Sequence, residues 1–454
     1  MGEVRVKRMV YLLWIAVLGL APAAVAQTVV FENVNVIPMD RERLLERQTL
    51  IVRDGRITQI GPAAGTPAPA GATRVDGSGK YLMPGLAEMH GHLTANYLPD
   101  TAKADVLYLY VANGVTTVRA MLGNPDAIKT RDAVAAGTLL GPKLYVAGPA
   151  LNGKVAPTFE DGARVVREQK QAGYDLVKIL GGMPPPVYDS IMRTAHSLKI
   201  DVAGHVPGEV GVRGALEARQ RSIDHLDQYI PALQLAPDTP REEEDRRIAE
   251  LAQLTVKSGV WNVPTMYLWD LFHNSETGEA LRARLTETRY LPRTMIDEWT
   301  KSKNGRLQPP NDTPSGVGAF GQTGVRVMEL RRKIFKALKA ANAPIALGTD
   351  SPQMFSVPGF STHRELKLMV DELGYSPYEA LESGTLKVAQ YFGATDTGTI
   401  AQGKRADLIL LNANPLTNIA NTENRAGVMM NGRWIPESEI QKRLKEIAAK
   451  AAGM

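Results

Sequence analysis

The stretch Tyr81–Leu93 has the sequence YLMPGLAEMHGHL. It begins with strand-like apolar residues, is interrupted by Pro84–Gly85, and ends in a histidine, a glycine and a second histidine. In an extended strand, residues i and i+2 point to the same side, so His90 and His92 direct two imidazoles toward one place. Imidazole is the commonest metal ligand in proteins. The stretch therefore predicts half of a metal site at the end of a buried strand, although two histidines that merely hydrogen-bond near a strand end would show the same pattern.

Short apolar runs alternate with amphipathic helical patterns after Tyr81, which is typical of βα units and a parallel sheet. Eight runs are predicted to be strands: Tyr81–Met89, Val115–Met121, Lys143–Ala147, Leu176–Leu180, Asp201–Val206, Ser222–Leu226, Trp261–Met266 and Pro344–Gly348. Eight parallel strands with intervening helices predict an α/β fold, a closed (β/α)8 TIM-like barrel over residues 81–393. An open doubly wound sheet is the alternative, but no glycine-rich phosphate-binding motif follows a first strand.

The two ends of the chain are β-rich. Residues 27–80 contain short strands and an Asp54–Gly55 hairpin signal, and residues 394–454 contain GTIAQGKRADLILL and a second hairpin signal at Asn431–Gly432. We predict that both ends form one small β-sandwich, followed by an amphipathic helix over Glu437–Ala452.

An excess of about 55 residues, roughly 270–324, separates predicted strands seven and eight. It includes a polar part, 303–321, that is rich in Pro, Asn and Gly. An insertion at the C-terminal rim of a barrel is more often a lid or a substrate wall than a separate domain. We therefore expect it to border the active site.

Composition excludes several kinds of site. The 454 residues contain no cysteine, so neither a disulfide framework nor a thiolate zinc site is possible. The formal net charge is +5, of which +2 lies in the N-terminal segment (three basic residues against Glu3), leaving +3. So small and dispersed a charge does not favour a nucleic-acid partner.

The N-terminus resembles a secretory signal peptide over residues 1–26. Three basic residues precede an apolar run from Met9 to Leu20, and Ala24–Val25–Ala26 supplies the small-residue cleavage pattern. The apolar run is shorter than the roughly 20 residues that a membrane span needs, and no later segment looks transmembrane. We predict export to the periplasm or the medium, with no stable membrane span after cleavage.

Further polar residues occur at the ends of later predicted strands: Lys178 on strand four, His205 on strand five, His225 on strand six and Asp350 after strand eight. In such barrels the catalytic groups converge at the C-terminal ends of the strands. A buried lysine costs several kcal/mol unless it is paired or neutral, and a neutral amine can take up carbon dioxide to form a carbamate that bridges two metal ions. The simpler alternatives are pairing with a local carboxylate such as Asp175, or extension of the side chain out of the strand end to solvent. His205 and His225 could each be ordinary core histidines, and Asp350 a helix N-cap.

These residues resemble the amidohydrolase superfamily. MHGHL after PGL, DLVKI, AGH, DH and LGTDSP occur in the family's order, and GTIAQGKRADLILL is similar to its sandwich signature. The chain is most similar to the imidazolonepropionase-like and Xaa-Pro dipeptidase branch. The resemblance covers nearly the whole chain after the signal segment.

The resemblance implies two divalent metal ions, with zinc expected. His90, His92 and Asp350 would hold the first ion and His205 and His225 the second, while Lys178, carboxylated by carbon dioxide, would bridge them. The two ions would lower the pKa of a bridging water so that hydroxide exists at neutral pH. Asp350 would move the proton to the leaving nitrogen.

Four further residues are candidates for substrate contacts. Tyr229, four residues after His225, could help to polarise the scissile carbonyl, although a packing tyrosine is an equal alternative. Arg119 on strand two, Tyr145 on strand three and His363 after strand eight could hold a substrate carboxylate.

These patterns predict an exported amidohydrolase that cleaves an amide bond of a dipeptide or an N-acyl amino acid, with a homo-oligomer favoured by the resemblance. The alternative within enzymes is hydrolysis of a cyclic amide, lactone, ester, or xenobiotic or mycotoxin amide at the same site. A binding protein on a decayed barrel is a third possibility, which the presence of all six predicted metal-site residues disfavours.

Overall fold

The computed structural model describes residues 28–93, 102–307 and 324–454. The predicted signal peptide and most of the polar part of the insertion therefore lie outside the described residues. Within the described ranges, no helix combines the length and the apolar character that a membrane crossing requires.

The described residues form sixteen strands and fifteen α-helices. The strands are β1 (Thr28–Val36), β2 (Leu45–Arg53), β3 (Arg56–Pro62), β4 (Thr73–Asp76), β5 (Tyr81–Pro84), β6 (Leu86–Gly91), β7 (Val115–Ala120), β8 (Lys143–Val146), β9 (Leu151–Asn152), β10 (Leu176–Gly181), β11 (Asp201–Gly204), β12 (Ser222–Asp224), β13 (Trp261–Val263), β14 (Leu408–Leu411), β15 (Arg425–Met430) and β16 (Arg433–Pro436). The helices are α1 (Lys103–Ala112), α2 (Pro125–Ala135), α3 (Phe159–Ala172), α4 (Pro185–Leu198), α5 (Gly211–Glu217), α6 (Tyr229–Ala232), α7 (Arg241–Ser258), α8 (Met266–His273), α9 (Gly278–Arg284), α10 (Arg293–Leu307), α11 (Gly324–Ala340), α12 (Phe360–Asp371), α13 (Pro377–Ser383), α14 (Leu386–Phe392) and α15 (Glu437–Ala452).

The two chain ends share one sheet, in the order β16-β15-β14-β5-β1-β2-β3, with β4 also paired to β1. In this order β1 and β16 are four strand spacings apart, which is about 19 Å in a flat sheet. The rings of Phe31 on β1 and Trp434 on β16 nevertheless lie 5.2 Å apart, edge to face. The sheet therefore curls around its own apolar core, and the prediction of a small β domain made from both ends is confirmed.

The barrel is made of eight parallel segments. Sheets β6-β7-β8 and β9-β10-β11-β12-β13 supply seven of them, because β8 and β9 follow one another along the third segment. The two sheets are joined where Ala147, between β8 and β9, pairs with Leu176. The eighth is the predicted run at residues 344–348, which forms hydrogen bonds on both sides without being a regular strand. The amide of Ala346 donates to the carbonyl of Asn262, and the amide of Met89 on β6 donates to the carbonyl of Leu347. The ring closes here, which confirms the predicted barrel.

The first predicted barrel strand, Tyr81–Met89, is two strands in the structure. Tyr81–Pro84 pairs with β14 and β1 in the chain-end sheet, and only Leu86–Gly91 enters the barrel. Gly85 turns the chain between them, and a Cβ on it would lie 2.1 Å from Oγ1 of Thr116. The sequence marks this break with Pro84–Gly85, but both halves of the stretch are apolar and buried, so they were predicted as one strand.

The described part of the insertion is mostly helical. It contains the end of α8, then α9 and α10, which pack against each other. Lys303 on α10 is fully buried, and its ammonium donates to the carbonyl oxygens of Leu271 and Asn274 at the end of α8 (2.8 and 2.6 Å). A buried lysine thus attaches α10 to α8.

Candidate metal centre

Strand β6 places two predicted ligands at the C-terminal end of the barrel. His90 is buried, and its Nδ1 lies 2.8 Å from Oδ2 of Asp224 on β12. Its Nε2 lies 3.2 Å from Nζ of Lys178 on β10. His92 follows the strand, and its Nε2 lies 2.6 Å from Oδ1 of Asp350. Strands one, four, six and eight therefore contribute to one cluster.

Asp350 and His225 complete the centre of this cluster. Oδ1 of Asp350 lies 3.6 Å from Nε2 of His90, and its Oδ2 lies 3.8 Å from Nε2 of His225. The His90 and His225 rings are 4.5 Å apart between centroids. One ligand atom from each of these three residues lies within 4.8 Å of the others, a spacing that a single metal ion could span.

His205 lies at the edge of the same cluster. Its ring centroid is 4.6 Å from that of His225, and its side chain is 30% exposed. Its Nδ1 lies 2.6 Å from Oδ2 of Asp227. The structure thus brings all six predicted metal-site residues together.

The hydrogen bonds around the histidines fit metal binding. Nδ1 of His90, His205 and His225 faces Asp224, Asp227 and Thr265, respectively. Such partners fix the ring and leave Nε2 as the ligand atom. Nε2 of His225 is buried and has no hydrogen-bond partner among the described residues, which is costly unless it binds an ion or a water.

The protonation states of His90 and His225 also favour the binding of a metal cation. Burial lowers the pKa of His90 and His225 well below the usual value, and repulsion from Lys178 adds to this effect. Neutral imidazole is the form that binds a metal.

Lys178 is 2% exposed, and burial lowers the pKa of its amine. The simpler alternative, pairing with Asp175, does not occur, because that carboxylate accepts from Arg131 and from the amide of Val146. No described carboxylate lies within ion-pair distance of the Lys178 amine; its nearest polar contact is the ring nitrogen of His90.

Residues with positive φ angles cluster at and around His225. His225, Leu226 and Gln228 have φ values of 63°, 51° and 62°, and Thr265, which contacts His225, has φ 50°. Such conformations cost of order 1–3 kcal/mol each and cluster at functional sites. The strand-six end is therefore held in place by its surroundings.

Arg331 on α11 is part of these surroundings. Its guanidinium donates to the carbonyl oxygen of His225 and lies over the ring of Trp269, 3.5 Å from the centroid. Burial lowers its pKa to about 9, an effect that Asp227 opposes. Arg331 therefore stabilises the backbone that carries His225, and its charge lies near the carboxylate that orients His205.

Glu88 joins strands one and eight. Its carboxylate accepts from the amides of His90 and Thr349 (2.9 and 2.7 Å) and from the hydroxyl of Thr349 (2.5 Å). Burial raises its pKa to about 8. It fixes the spacing between the two segments that carry His90 and Asp350.

Arg119, predicted to contact substrate, is completely buried inside the barrel. Its guanidinium donates to Asp224 (3.0 and 3.1 Å), the carbonyl of Met89, Ser222 Oγ and Tyr391 Oη. We call Arg119, Ser222, Asp224 and Tyr391 the barrel floor. Arg119 has no free donor directed at the mouth, so the expectation of a carboxylate contact is corrected: it holds Asp224, which in turn holds His90.

The other three predicted substrate residues also lie away from the cluster. Tyr145 stacks on Phe392 of α14, with ring centroids 3.5 Å apart, near the N-terminal ends of the strands. His363 is buried between Thr422 Oγ1 and the carbonyl of Asn113, at 3.0 Å from each.

Tyr229 is buried, and its hydroxyl contacts Oγ1 of Thr255 (2.9 Å) and Oδ1 of Asn262 (3.0 Å) behind the barrel wall. This is the packing alternative, so its proposed contact with a scissile carbonyl is not supported.

Sequence reasoning missed Asp224, Asp227, Arg331 and Glu88. The two aspartates could have been found, because SIDHLDQ places them one residue before and two after His225, and carboxylates often orient ligand histidines. Arg331 gives no such signal, since it stands in a run of basic residues on an amphipathic helix.

Comparison with known proteins agrees with this geometry. The pattern of the amidohydrolase family matches residues 81–435, most of the chain. The chain belongs to the amidohydrolase family. It is an enzyme of a metal-dependent hydrolase family that acts on carbon–nitrogen bonds, as the sequence predicted.

Individual relatives of this amidohydrolase are distant. Ochratoxinase from Aspergillus niger is 24% identical over 450 residues, covering 85% of this chain and 81% of that one. Imidazolonepropionase from Paracoccus denitrificans is 26% identical over 397 residues, covering 83% and 91%. A solved Xaa-Pro dipeptidase with methionine in its active site aligns with a TM-score of 0.65 at 20% identity, covering 90% of this chain and all of that one. At this distance the structural likeness shows the fold alone.

Proposed function

We propose that this amidohydrolase cleaves an amide bond in a dipeptide or an N-acyl amino acid. The observation that carries the proposal is the convergence of four histidines, Asp350 and a buried lysine at the C-terminal mouth of the barrel. The similarity to a Xaa-Pro dipeptidase and to ochratoxinase supports this class of substrate.

We propose that this chain holds two divalent metal ions. His90, His92 and Asp350 would bind the first, and His205 and His225 the second. Ligands limited to nitrogen and oxygen favour zinc. When bound, the ions would lower the pKa of water and polarise the scissile carbonyl.

Lys178 would bridge the two ions as a carbamate. Its desolvated amine is easier to deprotonate than an exposed one, and the neutral nitrogen can attack carbon dioxide. A nitrogen–carbon bond forms, one proton leaves the nitrogen, and the product is a carboxylate with two ligand oxygens. The lowered pKa and the absence of an ion-pair partner among the described carboxylates support this modification.

Asp350 would act as the proton carrier. It lies between three histidines, and its backbone is fixed by a 2.7 Å hydrogen bond from its own amide to the carbonyl of His90. It would accept the proton of the attacking water and return it to the leaving nitrogen.

Hydrolysis of a xenobiotic or mycotoxin amide at the same site is a second candidate, which the similarity to ochratoxinase favours. The experiment is a panel of Xaa-Pro dipeptides and N-acyl amino acids beside lactones, cyclic amides and aryl amides, assayed with purified enzyme loaded with zinc. Turnover of the first group supports the main proposal. Activity confined to lactones would contradict it.

We further propose that the enzyme is exported and forms a homo-oligomer. The predicted signal peptide is the argument for export, and fractionation of expressing cells tests it. A monomeric mass in light scattering would contradict the proposed homo-oligomer.

A further inference from the structure

Tyr110 on α1 is a fully buried tyrosine whose hydroxyl reaches the ends of barrel strands one and eight. The hydroxyl donates to the carbonyl oxygen of Ser351 at 2.9 Å and lies 3.2 Å from the hydroxyl oxygen of the same residue. The carbonyl of Ser351 also accepts from the amide of His92 at 2.8 Å, which uses both lone pairs of this oxygen. One acceptor therefore joins α1, the residue after Asp350 and a predicted metal ligand.

Gly91, the glycine between the two histidines of strand one, makes this close approach possible. A Cβ on Gly91 would lie 2.7 Å from the hydroxyl oxygen of Tyr110 and 2.9 Å from Cγ of Glu88. Atoms that are not bonded to each other pack best at about 3.5–4.0 Å when both are carbon, so these contacts would be too short. The glycine therefore leaves the space through which the Tyr110 hydroxyl reaches the end of strand eight.

Asp350 depends on contacts of this kind for its position. Its φ value is 60°, a left-handed conformation that costs energy in a residue other than glycine. On one side, its own amide donates to the carbonyl of His90 at 2.7 Å. On the other side, Ser351 accepts from Tyr110 and His92. Oδ1 of Asp350 lies 2.6 Å from Nε2 of His92, so the same set of hydrogen bonds fixes both of these side chains.

We propose that Tyr110 is a positioning residue for the metal centre. It acts through the carbonyl of Ser351 and holds the end of strand eight against the end of strand one, so that Asp350 keeps its place as ligand and proton carrier. Supporting residues of this kind typically change metal affinity or activity by about 10- to 100-fold. The proposal rests on the proposed function, which supplies the ligand set and the reaction. A tyrosine that only packs α1 against the barrel would affect stability alone.

Tyr110→Phe and Tyr229→Phe form a matched pair, because each removes one buried hydroxyl and keeps the ring. The Tyr229 hydroxyl bonds to Thr255 and Asn262, behind the barrel wall. At saturating zinc we expect kcat of Tyr110→Phe to fall by about 10- to 100-fold with KM within about twofold, because proton transfer by Asp350 follows substrate binding. Tyr229→Phe should lower Tm to a similar extent and leave kcat within about twofold. An equal change of kcat in both variants would overturn the proposal.

Zinc affinity is a second measurement, and it does not depend on turnover. Competition with a chelator should show that one zinc ion binds about tenfold more weakly to Tyr110→Phe than to the wild type, whereas Tyr229→Phe should bind zinc as the wild type does. If this difference occurs but the wild type hydrolyses no amide, the proposed function is contradicted and the positioning role of Tyr110 is supported. Equal zinc affinity in Tyr110→Phe and the wild type would overturn the positioning role.

Gly91→Ala disturbs the same contact from the other side, and it keeps the proposal testable if Tyr110→Phe does not fold. The added methyl group would push the Tyr110 hydroxyl away from Ser351, so zinc affinity should fall as in Tyr110→Phe. Gly162→Ala is the control, because a Cβ there would lie 2.9 Å from Cγ1 of Ile191, between α3 and α4. It should lower Tm but leave zinc affinity unchanged. An equal loss of zinc affinity in both glycine variants, or no loss in Gly91→Ala, would overturn the proposal.

Discussion

The barrel floor and the candidate metal centre both bury charged and polar side chains, but they differ in how many of these groups have hydrogen-bond partners. In the floor, Arg119 donates to Asp224, Ser222, Tyr391 and the carbonyl of Met89. In the metal centre, Nε2 of His225 and Nδ1 of His92 have no partner within the described part of the chain. Here the Lys178 amine faces another basic nitrogen instead of a carboxylate.

The comparison distinguishes the floor, whose side chains support the barrel, from the cluster at the mouth, where polar atoms remain open to a ligand. A buried polar group is stable when every donor and acceptor is satisfied, as in the floor. Groups left incomplete in the metal centre are those that a ligand would complete. Asp224 connects the two regions, because it pairs with Arg119 and also accepts from His90.

Of the substitutions that test this comparison, removal of the amine at Lys178 should reduce activity the most. In Lys178→Ala we expect kcat/KM to fall by roughly 10⁴-fold, because metal chemistry supplies several kcal/mol of transition-state stabilisation. Bound metal should fall below two ions per chain in elemental analysis.

Lys303→Met is the matched control for Lys178→Ala. It removes a buried lysine whose donors are satisfied by backbone carbonyls. It should lower stability but leave the metal content unchanged. If Lys178→Ala retained full activity and both metals, the functional role of this lysine would be refuted.

Substitution of Arg119 in the barrel floor should lower the stability of the protein more than its substrate binding. Arg119→Met leaves Asp224 buried without its cation, so we expect the free energy of unfolding to fall by about 3–5 kcal/mol in urea titrations. KM should change by the same factor for substrates with and without a free carboxylate. A selective rise in KM for the carboxylate substrates would instead restore Arg119 as a substrate contact.

Substitution of Arg331 tests whether residues around the candidate metal centre affect its metal affinity. Arg331→Met removes the donor to the His225 carbonyl, and we expect metal affinity to fall by about 10- to 100-fold, as for other supporting residues of metal sites. Competition with a chelator measures this affinity. Arg331→Lys should restore part of it, whereas equal loss in both variants together with a lowered Tm would indicate general destabilisation.

Tyr229 should show the smallest effect. Tyr229→Phe removes hydrogen bonds to Thr255 and Asn262, so stability should fall by about 1 kcal/mol. Activity per folded molecule should stay within about twofold. A much larger loss of kcat with unchanged stability would place the hydroxyl at the reaction after all.

Sequence reasoning succeeded where a local pattern sets the outcome. The alternation of strand and helix signals predicted the barrel, and the order of histidines, lysine and aspartate at strand ends predicted the cluster, because parallel strands bring their C-terminal ends to one rim. It failed for Arg119, Tyr145, His363 and Tyr229, since a polar residue near a strand end gives no sign of the direction in which its side chain points.

By itself, the sequence predicted the barrel, the shared chain-end domain and the six side chains that converge at the barrel mouth, because these follow from periodicity and from residue types at strand ends. Only the tertiary structure decided which buried polar groups are satisfied and which are left for a ligand. Arg119 and Lys178 are both basic residues in apolar strands, and the contacts that distinguish them come from residues more than 80 positions away along the chain, Asp224 for the arginine and His90 for the lysine.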